Sequence, residues 1–404
     1  MNTNSRQFFA PGVSLHLVGP AAFVLNESMQ AIYKLNSAGA LIWCFCEDNS
    51  EPGAVVSAIE SGLSITRPEA EACLEAAVAQ WSELGLTAAA VPDRTDFDVR
   101  PILESSPRND SHADGVGERK DAWNMHVLGQ RTFKVLYACA EQEKWGSEAF
   151  GRSSNHDDYV ARRELGQKLT VLEVRAQRRR RYLVLRDNVQ IYENLKKEYV
   201  IPVLKRLMMV EAVQSPGCTL AVHAGVVHRN GRAIILPAPS GSGKTTLVAG
   251  LISAGFGYLS DEIALISADL QVQPLPMNLC IKQNAWNLIS ELYPCLARAS
   301  THRRMHDGNF VRYLKAPRSS LLRGDESVPL TRIVFPRYVP ECRANIRQLE
   351  PHTGIEMLLA ESVLPRHLDG QTFNRLFEKL QRCSYYMMKS PSLSESIGLI
   401  EGLG

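Results

Sequence analysis

Apolar positions come in three regimes along the chain. In residues 1–88 they form short runs. Val13 to Leu17 and Phe23 to Leu25 are separated by Gly19-Pro20, which predicts a hairpin. Gln30 to Cys46 then carries Ile32, Leu35, Ala38, Leu41, Ile42 and Phe45 near 3.6-residue spacing, predicting a helix, and Glu51 to Ser61 offers Val55, Val56 and Ile59 on one face. A third helix is expected after Thr66, with Pro68 and Glu69 in its first turn. Its stripe is Ala72, Leu74, Val78, Trp81 and Leu84, and Gly85 ends it. The pattern predicts a small α+β unit.

From 89 to 126 the apolar positions thin out among Asp, Arg, Ser, Pro and Gly, a composition that predicts a flexible linker. The third regime, 127–404, opens with strand-like Thr132 to Tyr137, Thr170 to Val174 and Tyr182 to Leu185. A helical stretch follows from about Lys196 to Gln214. Leu220 to Val227 and Ala233 to Leu236 are apolar segments joined through Asn230-Gly231, a hairpin signal.

Composition narrows the class. With 45 Lys+Arg against 43 Asp+Glu, the net charge of +2 gives no global field for nucleic acid or an anionic membrane. Nine cysteines without a paired framework fit a reducing compartment. The N-terminal residues lack a basic-then-apolar signal, and no run reaches the roughly 18 apolar residues that span a bilayer. A cytoplasmic protein with no nucleic-acid and no membrane partner is expected.

The chemistry concentrates after Ala233 to Leu236. There Ala238-Pro239-Ser240-Gly241-Ser242-Gly243-Lys244-Thr245-Thr246 leads into an apolar helical run, the order strand, tight turn, helix. Phosphates need several backbone N–H donors at close range, hence the glycines, and the helix N-terminus adds its dipole. Ser240, Gly241, Ser242, Gly243, Lys244, Thr245 and Thr246 are the candidate nucleotide-binding residues. Lys244 is expected to reach the β and γ phosphates of ATP, and the Thr245 hydroxyl to ligate Mg²⁺. Ala238 stands where the general pattern has Gly.

Such a loop serves transporter ATPases, GTPases and kinases alike. Asp261-Glu262 begins 17 residues after Lys244, behind the apolar Phe256-Gly257-Tyr258. Acids this close suggest that the next strand carries them to the phosphate end of the sheet, where one helps hold Mg²⁺ and the other accepts a proton from an incoming hydroxyl.

The segment His223 to Ile266 resembles the core of bacterial HPr kinase/phosphorylases, P-loop serine kinases. Their His lies 21 residues before the P-loop Lys and their acid pair 17 after it, the spacings of His223 and Asp261. His223-Ala224-Gly225-Val226 and Gly255 also match. The resemblance implies Asp261 as general base and metal partner, His223 near the transferred phosphoryl, Lys244 as phosphate clamp, and Thr245, Asp261 and Glu262 as the metal set. Glu262 replaces the family's second Asp. The family's Glu-Ile-Arg-Gly signature is not found and Leu275 to Lys282 stands instead, so the resemblance extends neither to phosphorylase activity nor to HPr as substrate. Lys282, Arg303, Arg304, Arg312 and Lys315 offer positive charge for phosphoryl transfer. Related kinases form hexamers, which makes a homo-oligomer an open expectation.

Leu35-Asn36-Ser37-Ala38-Gly39-Ala40-Leu41-Ile42-Trp43 resembles the signature of the PqqD-like family, with Ala38 in place of Thr, and Trp81 to Leu86 matches its last helix and turn. Such domains bind the leader of a ribosomally made precursor peptide as an added strand. The contact surface expected here is an edge strand near Phe23 to Leu25 and the helix at about 67–84, with Trp43 and Leu41 as core. Arg178 to Arg181 reads as a solvated hairpin tip. The fold class expected is an α+β PqqD-like, winged-helix-type domain (1–88), a linker (89–126) and an α/β P-loop domain like the C-terminal domain of HPr kinase (127–404). The function expected is an ATP- and Mg²⁺-dependent serine kinase acting on a precursor peptide. The alternatives are a small-metabolite or carrier-protein kinase and a nucleotide-gated peptide chaperone.

Overall fold

The computed structural model describes residues 8–48, 51–88, 123–151, 169–322, 326–365 and 368–403. The described chain divides into two compact units. The first comprises the front of the chain together with Glu350–Glu356 and Leu364–Arg382, and the second holds the rest. Residues 89–122, most of the expected linker, lie outside the described residues, and a strand begins at Trp123, inside that linker's expected span.

In the first unit β1 (Val13–Val18), β2 (Ala21–Asn26) and β3 (Ala31–Leu35) form an antiparallel sheet in that order. The expected hairpin is β1–β2. The expected helix from Gln30 is not: Ala31–Leu35 pairs with β2, and α1 spans only Ser37–Asp48. Asn36 decides the boundary, because its side-chain carbonyl accepts from the Gly39 N–H at 2.7 Å and starts the helix there. α2 (Pro52–Leu63) and α3 (Arg67–Glu83) follow, the latter entered through the Glu69 carboxylate, which accepts from both the N–H and the hydroxyl of Thr66 at 2.8 and 2.7 Å. The core is aromatic. Phe9 stacks on Trp43 at 3.7 Å, and Trp43 meets Trp81 edge-on at 4.9 Å.

Because β3 exists, β2 is the central strand and not the edge expected at Phe23 to Leu25; all six of its residues are buried. Val24 faces the helical core, whereas Phe23 faces a helix from far along the chain, Gly370–Leu380. That helix turns Phe373 onto His16 (4.9 Å) and Phe377 onto Phe23 (5.6 Å). Gln30 clamps its approach by bonding the Leu368 backbone both ways, at 2.8 and 2.9 Å, and Glu27 accepts from the Gly370 N–H at 2.6 Å. The expected domain 1–88 is therefore completed by residues the sequence placed in the P-loop domain.

The second unit contains two main sheets. β4 (Trp123–Leu128), β5 (Arg131–Leu136), β6 (Leu169–Gln177), β7 (Arg181–Arg186) and β8 (Val189–Lys196) are neighbours in chain order, packed against α4 (Ala140–Phe150) and the helix Lys197–Val213. Arg178–Arg180 is an exposed turn between β6 and β7, as expected. The larger, ten-stranded sheet contains β10 (Ala224–Arg229) and β11 (Arg232–Pro237), whose turn holds Asn230 and Gly231 at φ of 52° and 70°. β18 (Val328–Tyr338) runs parallel to β11, and β12 (Gly257–Ser260) pairs with β10 on its other side. A small sheet of β15 (Leu279–Lys282), β17 (Phe310–Leu314) and β16 (Thr301–Arg303) completes it. Among the described residues no helix is long and apolar enough to cross a membrane.

Truncating Phe377 removes the ring that covers Phe23. Phe377→Ala is expected to destabilise the first unit by about 3 kcal/mol or more, read as a lowered urea midpoint for the transition followed by Trp43 and Trp81 fluorescence.

Candidate functional site

The turn after β11 leads directly into the helix Lys244–Ser253, whose Leu247, Val248, Leu251 and Ile252 are buried. Gly225 makes this packing possible, since a Cβ there would sit 2.5 Å from Val248 Cγ2. Gly241 and Gly243 adopt φ of +89° and +90° with open space where a Cβ would lie, so backbone conformation, not crowding, demands glycine. The helix N-terminus thereby points its free N–H groups into a pocket. Lys244 is buried there and donates to the carbonyls of Ala238 and Pro239, the latter at 3.0 Å. Burial, with Lys282 nearby, lowers its pKa to about 8 against the pull of Glu361, Glu262 and Asp261.

One pocket gathers most of the sequence candidates: His223, Ser240, Gly241, Gly243, Lys244, Thr245, Thr246, Asp261 and Glu262 line it together. Ser242 lies in the turn, its N–H closing onto the Pro239 carbonyl at 3.3 Å, and does not line the pocket. Of the basic candidates, Lys282 and Arg304 reach it. Lys282 donates to Ser240 Oγ at 3.1 Å, and Asp307 stands 3.7 Å from Lys282 and 3.6 Å from Arg304. Arg312 instead stacks on Trp286 at 4.1 Å, Arg303 lies over Phe310 at 5.3 Å, and Lys315 is exposed outside the lining. Cys280 also lines the pocket, and burial pushes its thiol up to about 12, which disfavours the thiolate.

The acids follow β12 directly, and the two differ. Asp261 is buried; its Oδ2 accepts from the Cys280 N–H at 2.8 Å and its Oδ1 lies 3.4 Å from the Tyr258 hydroxyl. The Glu262 side chain is 26% exposed. Between them stands a residue that the sequence reading did not single out. Lys205, from the helix Lys197–Val213, places Nζ 3.8 Å from Asp261 and 3.7 Å from Glu262. Burial, reinforced by Glu262, raises the Asp261 pKa against Lys205 and the Cys280 N–H. Burial also works against the Glu262 anion, but the cationic Lys205 and Arg304 outweigh it and hold that carboxyl below its usual range.

The residues fit a divalent cation only in part. Thr245, Asp261 and Glu262 present hard oxygen donors to one pocket, yet the described residues hold no group of three or more His, Cys, Asp or Glu able to bind a metal unaided. Phosphate oxygens would have to complete such a shell.

His223 occupies a break between β9 (Leu220–Val222) and β10, where its N–H donates to the Glu361 carbonyl at 2.7 Å. Its Nδ1 lies 3.5 Å from Glu361 Oε2, but burial and the cationic Lys244 push its pKa down to about 4. The ring is neutral at pH 7, and the Glu361 contact is a polar one rather than an ion pair. Histidine-resolved NMR is expected to show one imidazole, lost in His223→Gln, that stays neutral as the pH falls through 6.5 and protonates only near pH 4. An ordinary titration near 6.5 contradicts the assignment.

Comparison with known proteins bears on the first unit. Residues 21–86 match the family described as coenzyme PQQ synthesis protein D (PqqD). None of the curated proteins matches the chain. Among solved structures, "TbiB1 in Complex with the TbiA(beta) Leader Peptide" is 21% identical, with a TM-score of 0.19, and covers 20% of this chain and 94% of its own. The chain carries a PqqD-like domain at its N-terminal end.

Proposed function

We propose that the chain is an ATP- and Mg²⁺-dependent P-loop serine kinase that phosphorylates a hydroxyl on a ribosomally made precursor peptide, recruited through its PqqD-like domain. The observation that carries the reading is the convergence of Lys244 and Thr245 with Asp261 and Glu262 in one pocket. A nucleotide-binding turn alone serves many chemistries; a carboxylate pair facing the terminal phosphate adds a place for the acceptor's proton.

The step needs little covalent chemistry from the protein. The acceptor oxygen attacks the γ-phosphorus, the bond from that phosphorus to the β–γ bridging oxygen breaks, ADP leaves, and the hydroxyl proton passes to the acid pair. Lys244 and the turn's N–H groups hold the phosphates, and Lys282 and Arg304 offset charge on the transferring group. Thr245, Asp261 and Glu262 would hold Mg²⁺, which when bound neutralises phosphate charge. His223, neutral at pH 7, is available as a hydrogen-bonding group beside the phosphoryl and adds no charge.

The first unit supports peptide recruitment by its shape. Both faces of its sheet are covered, one by α1–α3 and the other by Gly370–Leu380, which leaves main-chain pairing to an edge. β3 is such an edge, and a leader added there as a fourth strand satisfies its outward N–H and carbonyl groups. Leader capture then raises the local concentration of the hydroxyl to be phosphorylated.

Radiolabelled transfer from γ-labelled ATP to a full-length precursor peptide is the direct assay. Lys244→Ala is expected to reduce transfer below about one-hundredth, and wild-type-like transfer by that variant would refute the site. Removing the leader from the peptide is expected to raise KM by about tenfold or more at similar kcat. Equal KM with and without leader points instead to a small acceptor, and nucleotide binding without any transfer points to a peptide escort.

A further inference from the structure

The helix Lys197–Val213 belongs to the layer of the five-stranded sheet, and nearly every residue on its inner side is apolar: Val200, Ile201, Leu204 and Met208 are fully buried. Lys205 interrupts that set at 3% exposure. A buried ammonium in such surroundings is costly unless it is paired and hydrogen-bonded. It is fixed from three sides. Nζ donates to the Asn278 carbonyl at 3.0 Å, lies 5.3 Å above the Tyr313 ring, and faces both carboxylates of the acid pair. Asn278 is itself held, its side-chain amide donating to the Glu148 carbonyl at 2.6 Å. At 3.8 and 3.7 Å the carboxylates stand beyond hydrogen-bond reach of Nζ but well within strong Coulomb range for a buried site.

We infer that Lys205 is the resident counter-ion of Asp261 and Glu262 and that, because of it, the site takes up its divalent cation only together with nucleotide phosphates. The inference rests on the kinase reading for the identity of the ligand. Two adjacent carboxylates in a pocket would by themselves form an attractive site for a divalent ion. With Lys205 between them, one of their two negative charges is already balanced by a group that cannot swing away. Lys244, Lys282 and Arg304 line the same pocket and oppose a lone dication further. What remains is the hydroxyl of Thr245 and too few anionic oxygens, in keeping with the absence of any three-ligand metal group among the described residues. A triphosphate reverses the balance, since it satisfies the three cations and brings the missing oxygens with it. Lys205 on this account is a positioning residue: it touches neither phosphate nor acceptor and acts through the acids.

Mn²⁺ binding followed by the loss of its free-ion EPR signal tests this on the full chain without relying on turnover. The native chain is expected to bind Mn²⁺ weakly alone and tightly with a non-hydrolysable ATP analogue. Lys205→Met is expected to bind Mn²⁺ without nucleotide at least about tenfold more tightly than native, and Lys205→Arg to behave as native. Equal Mn²⁺ affinity of the native chain with and without the analogue overturns the inference, as does a folded Lys205→Met with unchanged nucleotide-free affinity. Should the methionine variant fail to fold, the native comparison decides alone. A native chain that binds no analogue at all overturns the kinase reading and this inference with it, whereas analogue binding with nucleotide-independent Mn²⁺ overturns only the inference.

Discussion

A buried carboxylate, that of Asp261, is the interaction on which the pocket's geometry depends. Taking an isolated carboxylate out of water costs several kcal/mol, and the cost is offset only by groups already in place when it arrives. Here these are the Cys280 N–H at the start of β15 and the ammonium of Lys205. The three come from separate parts of the chain: the end of β12, the small sheet and the helix packed on the five-stranded sheet. The pocket floor is therefore a junction of three layers. If either partner moved away, the Asp261 carboxylate would lose part of what offsets that cost.

The side of the pocket formed by the turn after β11 is set by steric constraints instead. Gly225 lets the helix Lys244–Ser253 lie against β10, and the left-handed conformations at Gly241 and Gly243 turn the chain from β11 into that helix. His223 reaches the same pocket by a different device. The strand it would continue is broken at that residue: β9 pairs with β13 (Ala264–Ile266), and β10 with β11 and β12. A continuous strand would have carried the apolar run of Leu220 to Val227 straight through. The break, tied by the Glu361 carbonyl, turns the imidazole toward Lys244 instead.

Those origins explain what sequence reading reached. The turn from Ser240 to Thr246 is written in one contiguous run, with its strand just before it and its helix just after. The acid pair follows at a short fixed distance, so both ends of the pocket were legible. Trp43 was legible as core because a large aromatic residue on a periodic stripe is seldom anything else, whereas Leu41, expected there with it, is only half-buried. β3 was not, since Ile32 and Leu35 fit a helical period as well as a strand and only the Asn36 cap separates the two. Missing β3 made β2 look like an edge. Lys205 left one faint trace, a charge beside Arg206 inside the otherwise apolar run Val200 to Met209, but its partners lie 56 and 57 residues ahead in the chain and no local pattern joins them.

The least legible feature is the composite first unit. The helix Gly370–Leu380 has a strongly two-sided pattern, with Phe373, Leu376, Phe377 and Leu380 on its buried side. Such a helix could have been assigned to any sheet. It joins the PqqD-like domain because Phe23 and His16 offer an outer sheet face that would otherwise expose an aromatic patch to water. The consequence is topological. Between Leu349 and Cys383 the chain passes from the second unit to the first and back twice, so residues 89–122 are not the sole covalent connection. The PqqD-like domain is thus assembled in part from the segment between β19 (Asn345–Leu349) and β21 (Ser384–Ser390), far along the chain from its sheet.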